Sequence, residues 1–220
     1  MRRTRVKICG VMRPEDAAAA CALGADAIGM IFHPASPRNI SIERARLVME
    51  QVAPFVTPVG VCVDASAAQI KDVAAALGLR VVQLNGRETP DEVAALAPLR
   101  VIKAIRVVRG QLAAALTPWA GVKNLIGVLM EPGGTNEPGG TGVANDWAEV
   151  IAAQRAGAFA SLPPLIAAGG LRPENVCEVV RTVRPFAVDV SSGVEVERGV
   201  KSEEKIAAFV GKIRAADGEQ

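Results

Sequence analysis

The 220-residue sequence predicts a (β/α)8 TIM barrel of the α/β class, a parallel eight-stranded barrel with outer helices. Three observations lead there. Short runs rich in Val, Ile and Leu alternate eight times with longer, Ala-rich stretches of helical spacing. The strand runs are apolar nearly throughout rather than alternating, as a parallel sheet covered on both faces requires. No GxGxxG fingerprint follows the first run, where Cys9-Gly10 stands, and an open doubly wound sheet thereby loses its usual mark.

In chain order the predicted strands are 6–9, 27–32, 58–63, 81–84, 101–105, 125–130, 165–168 and 186–190. The helices between them are 14–23, 42–52, 67–77, 90–97, 111–116, 147–156, 174–183 and 203–214. Each unit spans about 27 residues, enough for a strand, a helix and two short connections. Ser41, Ser66, Thr89 and Ser202 stand where helix caps belong, Pro14, Pro90 and Pro173 near helix starts, and Gly24 and Gly78 after helix ends. The length suits one barrel domain over 1–220.

Half of the residues are hydrophobic, and 25 Lys+Arg against 23 Asp+Glu leave a formal charge of +2. That balance excludes a disordered chain, and no apolar run approaches the ~18 residues that cross a bilayer. With no Lys/Arg cluster, neither nucleic acid nor a membrane surface is an expected partner. Cys9, Cys21, Cys62 and Cys177 lie far apart with no CxxC pair, which argues against zinc and against a disulfide framework. The basic N-terminus runs straight into a strand pattern without an apolar signal core, so a cytoplasmic protein is expected, as a monomer or homodimer.

Active sites of such barrels lie at the carboxyl ends of the strands. Strand one ends Lys7-Ile8-Cys9-Gly10, and alternation puts Lys7 and Cys9 on one face, with the thiol at the rim where it can serve in proton abstraction. The loop after strand two is stiffened by Pro34 and Pro37 and carries Arg38, whose planar fork suits a carboxylate; the lone His33 reads as a loop residue. Gln83 and Asn85 share a face at the end of strand four. Strand six ends at Glu131 and opens onto a Gly-rich loop with a near repeat of EPGGT, read as a lid. Gly169-Gly170 after strand seven and Ser192-Gly193 after strand eight suit a phosphate held by backbone amides, with Asp189 facing inward beside them.

Taken together, KICG at 7–10, GADAIGMIF at 24–32, SPRNIS at 36–41, VQLNG at 82–86, GGTG…DW at 139–147, AGGLRPENV at 168–176 and RPFAVDVSSGVE at 184–195 resemble the phosphoribosylanthranilate isomerases of tryptophan biosynthesis. The resemblance covers nearly the whole chain. It implies an Amadori rearrangement of a small phosphosugar substrate that needs no metal and no cofactor. By resemblance Cys9 is the general base and Glu131 the general acid. Arg38 holds the anthranilate carboxylate, Asp189 assists near the ribose, and Lys7 and Gln83 complete the substrate-binding set. Gly169, Gly170, Ser192 and Gly193 take the phosphate. Three positions depart from the family pattern: Glu131 where Asp is usual, Asn85 where His is frequent, and Val143 where Lys is common. The departures leave two other readings open: a related phosphosugar isomerase or epimerase, and a non-catalytic phosphate-binding barrel.

Overall fold

Residues 3–133 and 145–218 are described by the structure, a computed structural model. Strands β1 (Arg5–Cys9), β2 (Ala27–Ile31), β3 (Thr57–Cys62), β4 (Val81–Leu84), β5 (Arg100–Val107), β6 (Leu125–Pro132), β7 (Leu165–Ala167) and β8 (Ala187–Val190) pair in parallel and close into a barrel in that order. Closure comes from β8 pairing with β1, which sets Lys7 opposite Asp189. Helices α1 (Pro14–Ala22), α2 (Ile42–Met49), α3 (Ala67–Leu77), α4 (Pro90–Ala94), α5 (Leu112–Leu116), α6 (Trp147–Arg155), α7 (Val176–Val183) and α8 (Glu203–Gly218) follow the eight strands in turn.

The expected caps hold the helix starts. Ser41 accepts from the Arg44 N–H, Ser202 from the Lys205 N–H, and Ser66 and Thr89 build capping boxes with Gln69 and Glu92. Each such cap contributes about 1 kcal/mol. Helices α2 and α4 stop about three residues short of their predicted ends, and α7 starts at Val176, about two residues after its predicted start at Glu174.

Alternation along the strands decides which side chains reach the site. Val6 and Ile8, Ile28 and Met30, Val82 and Leu84, Val128 and Met130, and Val188 and Val190 point outward into the core shared with the helices. The residues between them point into the barrel. At its middle and amino end these are apolar, with Ile102, Ala104, Leu129, Ile166 and Ala187 packed in one cluster. Toward the carboxyl ends the inward set turns polar: Lys7, Cys9, Gln83, Asp189 and, half-buried, Glu131. Burying Lys7, Gln83 and Asp189 in the barrel costs folding energy unless each finds a partner.

Besides a 3-10 turn at Thr117–Trp119, the segment after β8 has no counterpart in the predicted list. After β8 comes a 3-10 turn at Ser192–Val194 and then an antiparallel ribbon of β9 (Glu195–Glu197) and β10 (Val200–Lys201). Strands of three and two residues with several charges give no apolar run to detect. The Gly-rich segment read as a lid, with Val143, lies outside the described residues. Among the described residues no helix is long and apolar enough to cross a membrane.

Candidate active site

Cys9, Gln83, Asn85, Glu131, Asp189 and Ser191 line one cavity at the carboxyl ends of the strands, closed on the β2 side by His33, Ser36 and Arg38. Asn85 and Glu131 also line a neighbouring cleft of about 660 Å³, which Lys103, Arg106 and Trp119 border. Six of the ten residues singled out from the sequence therefore meet around one space or directly beside it: Cys9, Arg38, Gln83, Glu131 and Asp189 on its wall, and Lys7 through its bond to Asp189.

Lys7 donates to Asp189 Oδ1 at 2.7 Å, and both side chains are buried. Burial alone would lower the Lys7 ammonium; the Asp189 carboxylate and the adjacent thiol outweigh it and hold the group charged, above its ordinary value. Cys9 has the opposite balance. Burial pushes its thiol up, and the Lys7 and Lys201 ammonium groups pull against that rise without cancelling it. The thiol and Lys7 fit side by side because Gly29 on β2 has no Cβ; an added one would sit 2.9 Å from Sγ and 3.0 Å from Nζ.

Glu131 faces this pair from the far side of the cavity. Burial and the nearby Asp189 carboxylate push its pKa up to about 7, against the pull of Arg106, Lys103 and Lys7. Its Oε1 accepts from Asn85 Nδ2 at 2.7 Å, and Asn85 Oδ1 accepts from Gln83 Nε2 at 2.7 Å. Gln83 is 1 % exposed, and among the described residues its Oε1 has no hydrogen-bond partner. A buried carbonyl in that state favours a ligand that donates to it. Lys103 pins the loop bearing Asn85 by donating to the Gly86 carbonyl at 2.7 Å and to Glu88 at 2.9 Å.

Arg38 reaches the cavity with one edge of its guanidinium already engaged. Nε and Nη2 donate to the two oxygens of Glu195 at 2.8 and 2.7 Å, and Lys201 donates to Glu195 Oε1 at 2.7 Å. Burial would raise the Glu195 carboxyl, but Arg38 and Lys201 hold it down at about 2. The Nη1–Nη2 edge of Arg38 keeps its donors for a second carboxylate, because a guanidinium has five N–H groups in a planar fork. Glu195 and Lys201 come from the ribbon that the strand pattern did not reveal. His33, passed over as a loop residue, stands on the cavity wall.

On the β7–β8 side, the amides of Gly169, Gly170, Ser192 and Gly193 find no acceptor among the described residues. The two turns interlock at Gly193, where a Cβ would run into the Leu171 carbonyl, so only glycine lets the turns approach this closely. Asn145 ties the ends of β6 and β7 together by donating to the Met130 and Ala168 carbonyls at 2.9 and 3.1 Å.

A closed parallel barrel that brings a thiol, a carboxyl titrating near neutrality and a group of unengaged backbone amides to the carboxyl ends of its strands is built as a (β/α)8 acid–base enzyme. The family model for N-(5'-phosphoribosyl)anthranilate (PRA) isomerase matches residues 6–212. The chain belongs to that family. An N-(5'-phosphoribosyl)anthranilate isomerase of Pseudomonas fluorescens (strain SBW25) is 41% identical over 219 residues, 99% of each chain. The crystal structure of phosphoribosyl anthranilate isomerase from Thermotoga maritima superposes with a TM-score of 0.85 at 36% identity, covering 96% of this chain and 99% of the other. A phosphoribosyl anthranilate isomerase in complex with reduced 1-(o-carboxyphenylamino)-1-deoxyribulose 5-phosphate gives a TM-score of 0.82 at 36% identity, with the same coverage.

Proposed function

We propose that this chain catalyses the Amadori rearrangement of N-(5-phosphoribosyl)anthranilate to 1-(2-carboxyphenylamino)-1-deoxy-D-ribulose 5-phosphate, a step on the way from chorismate to tryptophan, in the cytoplasm. The observation that carries the reading is the pairing of Cys9 with Glu131 on the wall of one cavity, the carboxyl holding its proton up to about pH 7. Glu131 gives that proton to the furanose oxygen as the ring C–O bond breaks and the aniline nitrogen forms an imine. The Cys9 thiolate then removes the proton from C2′, and the electron pair of that C–H bond moves through the new C=C bond to the imine nitrogen. The enolamine tautomerises to the ketose by taking a proton at C1′ and losing one from the C2′ hydroxyl, and the thiol gives up its proton while Glu131 regains one, which restores the starting state.

The remaining residues suit this substrate. Arg38 offers the Nη1–Nη2 edge to the anthranilate carboxylate while Glu195 keeps the other edge fixed. Asp189, held by Lys7, and the carbonyl of Gln83 accept from ribose hydroxyls. Gly169, Gly170, Ser192 and Gly193 receive the phosphate through their amides.

The reactive form needs the thiolate and the protonated Glu131 together, and the thiol titrates above its ordinary value, hence above Glu131. Below pH 7, raising the pH makes thiolate without costing acid, so kcat/KM climbs about tenfold per unit. Above 7 each gain in thiolate is matched by a loss of protonated Glu131, and the curve levels off. The first test is turnover itself: purified protein mixed with phosphoribosylanthranilate is expected to abolish the substrate's fluorescence enzymatically. Phosphate binding without any turnover would instead place the chain among non-catalytic barrels.

A further inference from the structure

Two acids that line the cavity differ in the kind of donor each meets among the described residues: Asp189 accepts from the Lys7 ammonium, Glu131 from the Asn85 amide. The orientation of that amide is set from behind. Gln83 Nε2 donates to Asn85 Oδ1, which turns Nδ2 toward Glu131, and both amide side chains are buried. Because Oε1 of Glu131 is thereby occupied as an acceptor, a proton on the carboxyl sits on Oε2. We infer that Asn85 is the positioning residue of the proton donor: it fixes which oxygen of Glu131 carries the transferable proton, and Gln83 keeps the Asn85 NH2, rather than its carbonyl, facing the carboxyl.

The inference rests on the reading of Glu131 as the acid. It gives a role to a position that the strand alternation placed beside Gln83 but left without chemistry. An N–H donor is neutral, so it aligns the carboxyl without the strong depression that an Arg or Lys at the same distance would impose. The charged groups that bear on Glu131 are Lys7 from β1, Lys103 and Arg106 from β5, and Asp189 from β8, with the Cys9 thiol across the cavity. None of them except through space controls which oxygen is protonated. The Asn85 contact does so directly.

The test replaces the donor with an apolar side chain of similar size, Asn85→Leu, and follows the titration of Glu131 by carbon-13 NMR of labelled glutamate, with Glu131→Gln assigning the signal. Loss of the donor removes a stabiliser of the carboxylate, so the midpoint is expected to rise by roughly one pH unit. The bend in kcat/KM near pH 7 should rise with it, and kcat should drop about five- to tenfold while KM changes little. An unmoved midpoint overturns the inference. A midpoint that falls also overturns it, because it would mean that the Asn85 carbonyl faces Glu131 and stabilises the acid form. Asn85→Ser, too short to reach the carboxyl, gives the same readings if the Leu variant does not fold. Failure of the underlying reading looks different: Glu131→Gln would then turn over at the wild-type rate.

Discussion

Glu131 at the end of β6 and Glu195 at the start of β9 both sit in poorly solvated surroundings around the mouth of one barrel. Glu195 is clasped by Arg38 and Lys201 and held near a pKa of about 2; Glu131, which among the described residues meets only an amide directly, faces another carboxylate and is pushed up to about 7. Burial acts in the same direction on both. The partners decide the outcome. A carboxylate with two cations in contact is locked as a structural anion, whereas one given a neutral donor keeps a proton that it can surrender near neutral pH.

This contrast can be broken by exchanging what each acid lacks. Glu131→Gln keeps the hydrogen-bonding outline but has no acidic proton, and turnover of phosphoribosylanthranilate is expected to fall by about 10²–10⁴-fold. Retained turnover would remove Glu131 from the chemistry. Glu195→Ala should act first on stability: it leaves Arg38 and Lys201 buried without their anion, at a cost of about 3–5 kcal/mol in denaturant unfolding. A loss below 1 kcal/mol would show that the cluster is not the lock described.

The acids should also bend the pH dependence of stability in opposite senses. Glu195 has its folded pKa below the ordinary 4.5, so the unfolded chain binds the extra proton and its contribution, present above about 4.5, is lost as the pH falls toward 2. Glu131 has its folded pKa above 4.5, so the folded chain binds the extra proton and stability declines as the pH rises from 4.5 through about 7. Glu131→Gln removes that decline, and the variant should be more stable than wild type at pH 8 by on the order of 2 kcal/mol, with little difference at pH 4. Equal Tm shifts at the two pH values would contradict the raised pKa.

The same contrast explains what could be read from the sequence. The eight strands and their inward faces were legible because apolar runs at regular spacing, proline starts and glycine ends all speak locally. Cys9, Glu131 and Asp189 could be placed at strand ends by counting alternate positions. The clasp around Glu195 could not, since Arg38 and Glu195 are 157 positions apart and the ribbon that presents Glu195 and Lys201 has no apolar pattern. Asn85 was visible as a side chain next to Gln83, but its bond to Glu131 crosses from β4 to β6 and follows from barrel geometry alone. His33 gave only a residue type in a proline-stiffened loop, and its place on the cavity wall comes from how that loop folds back over β2.

In the proposed mechanism a thiol and a protonated carboxyl divide two proton transfers between them. The most direct measurement is turnover by Cys9→Ala beside the wild type at pH 7.5, together with binding of the reduced product analogue. We expect kcat to drop at least about 100-fold while the analogue still binds; a variant that binds the analogue and turns over normally would contradict the assignment of Cys9 as the base.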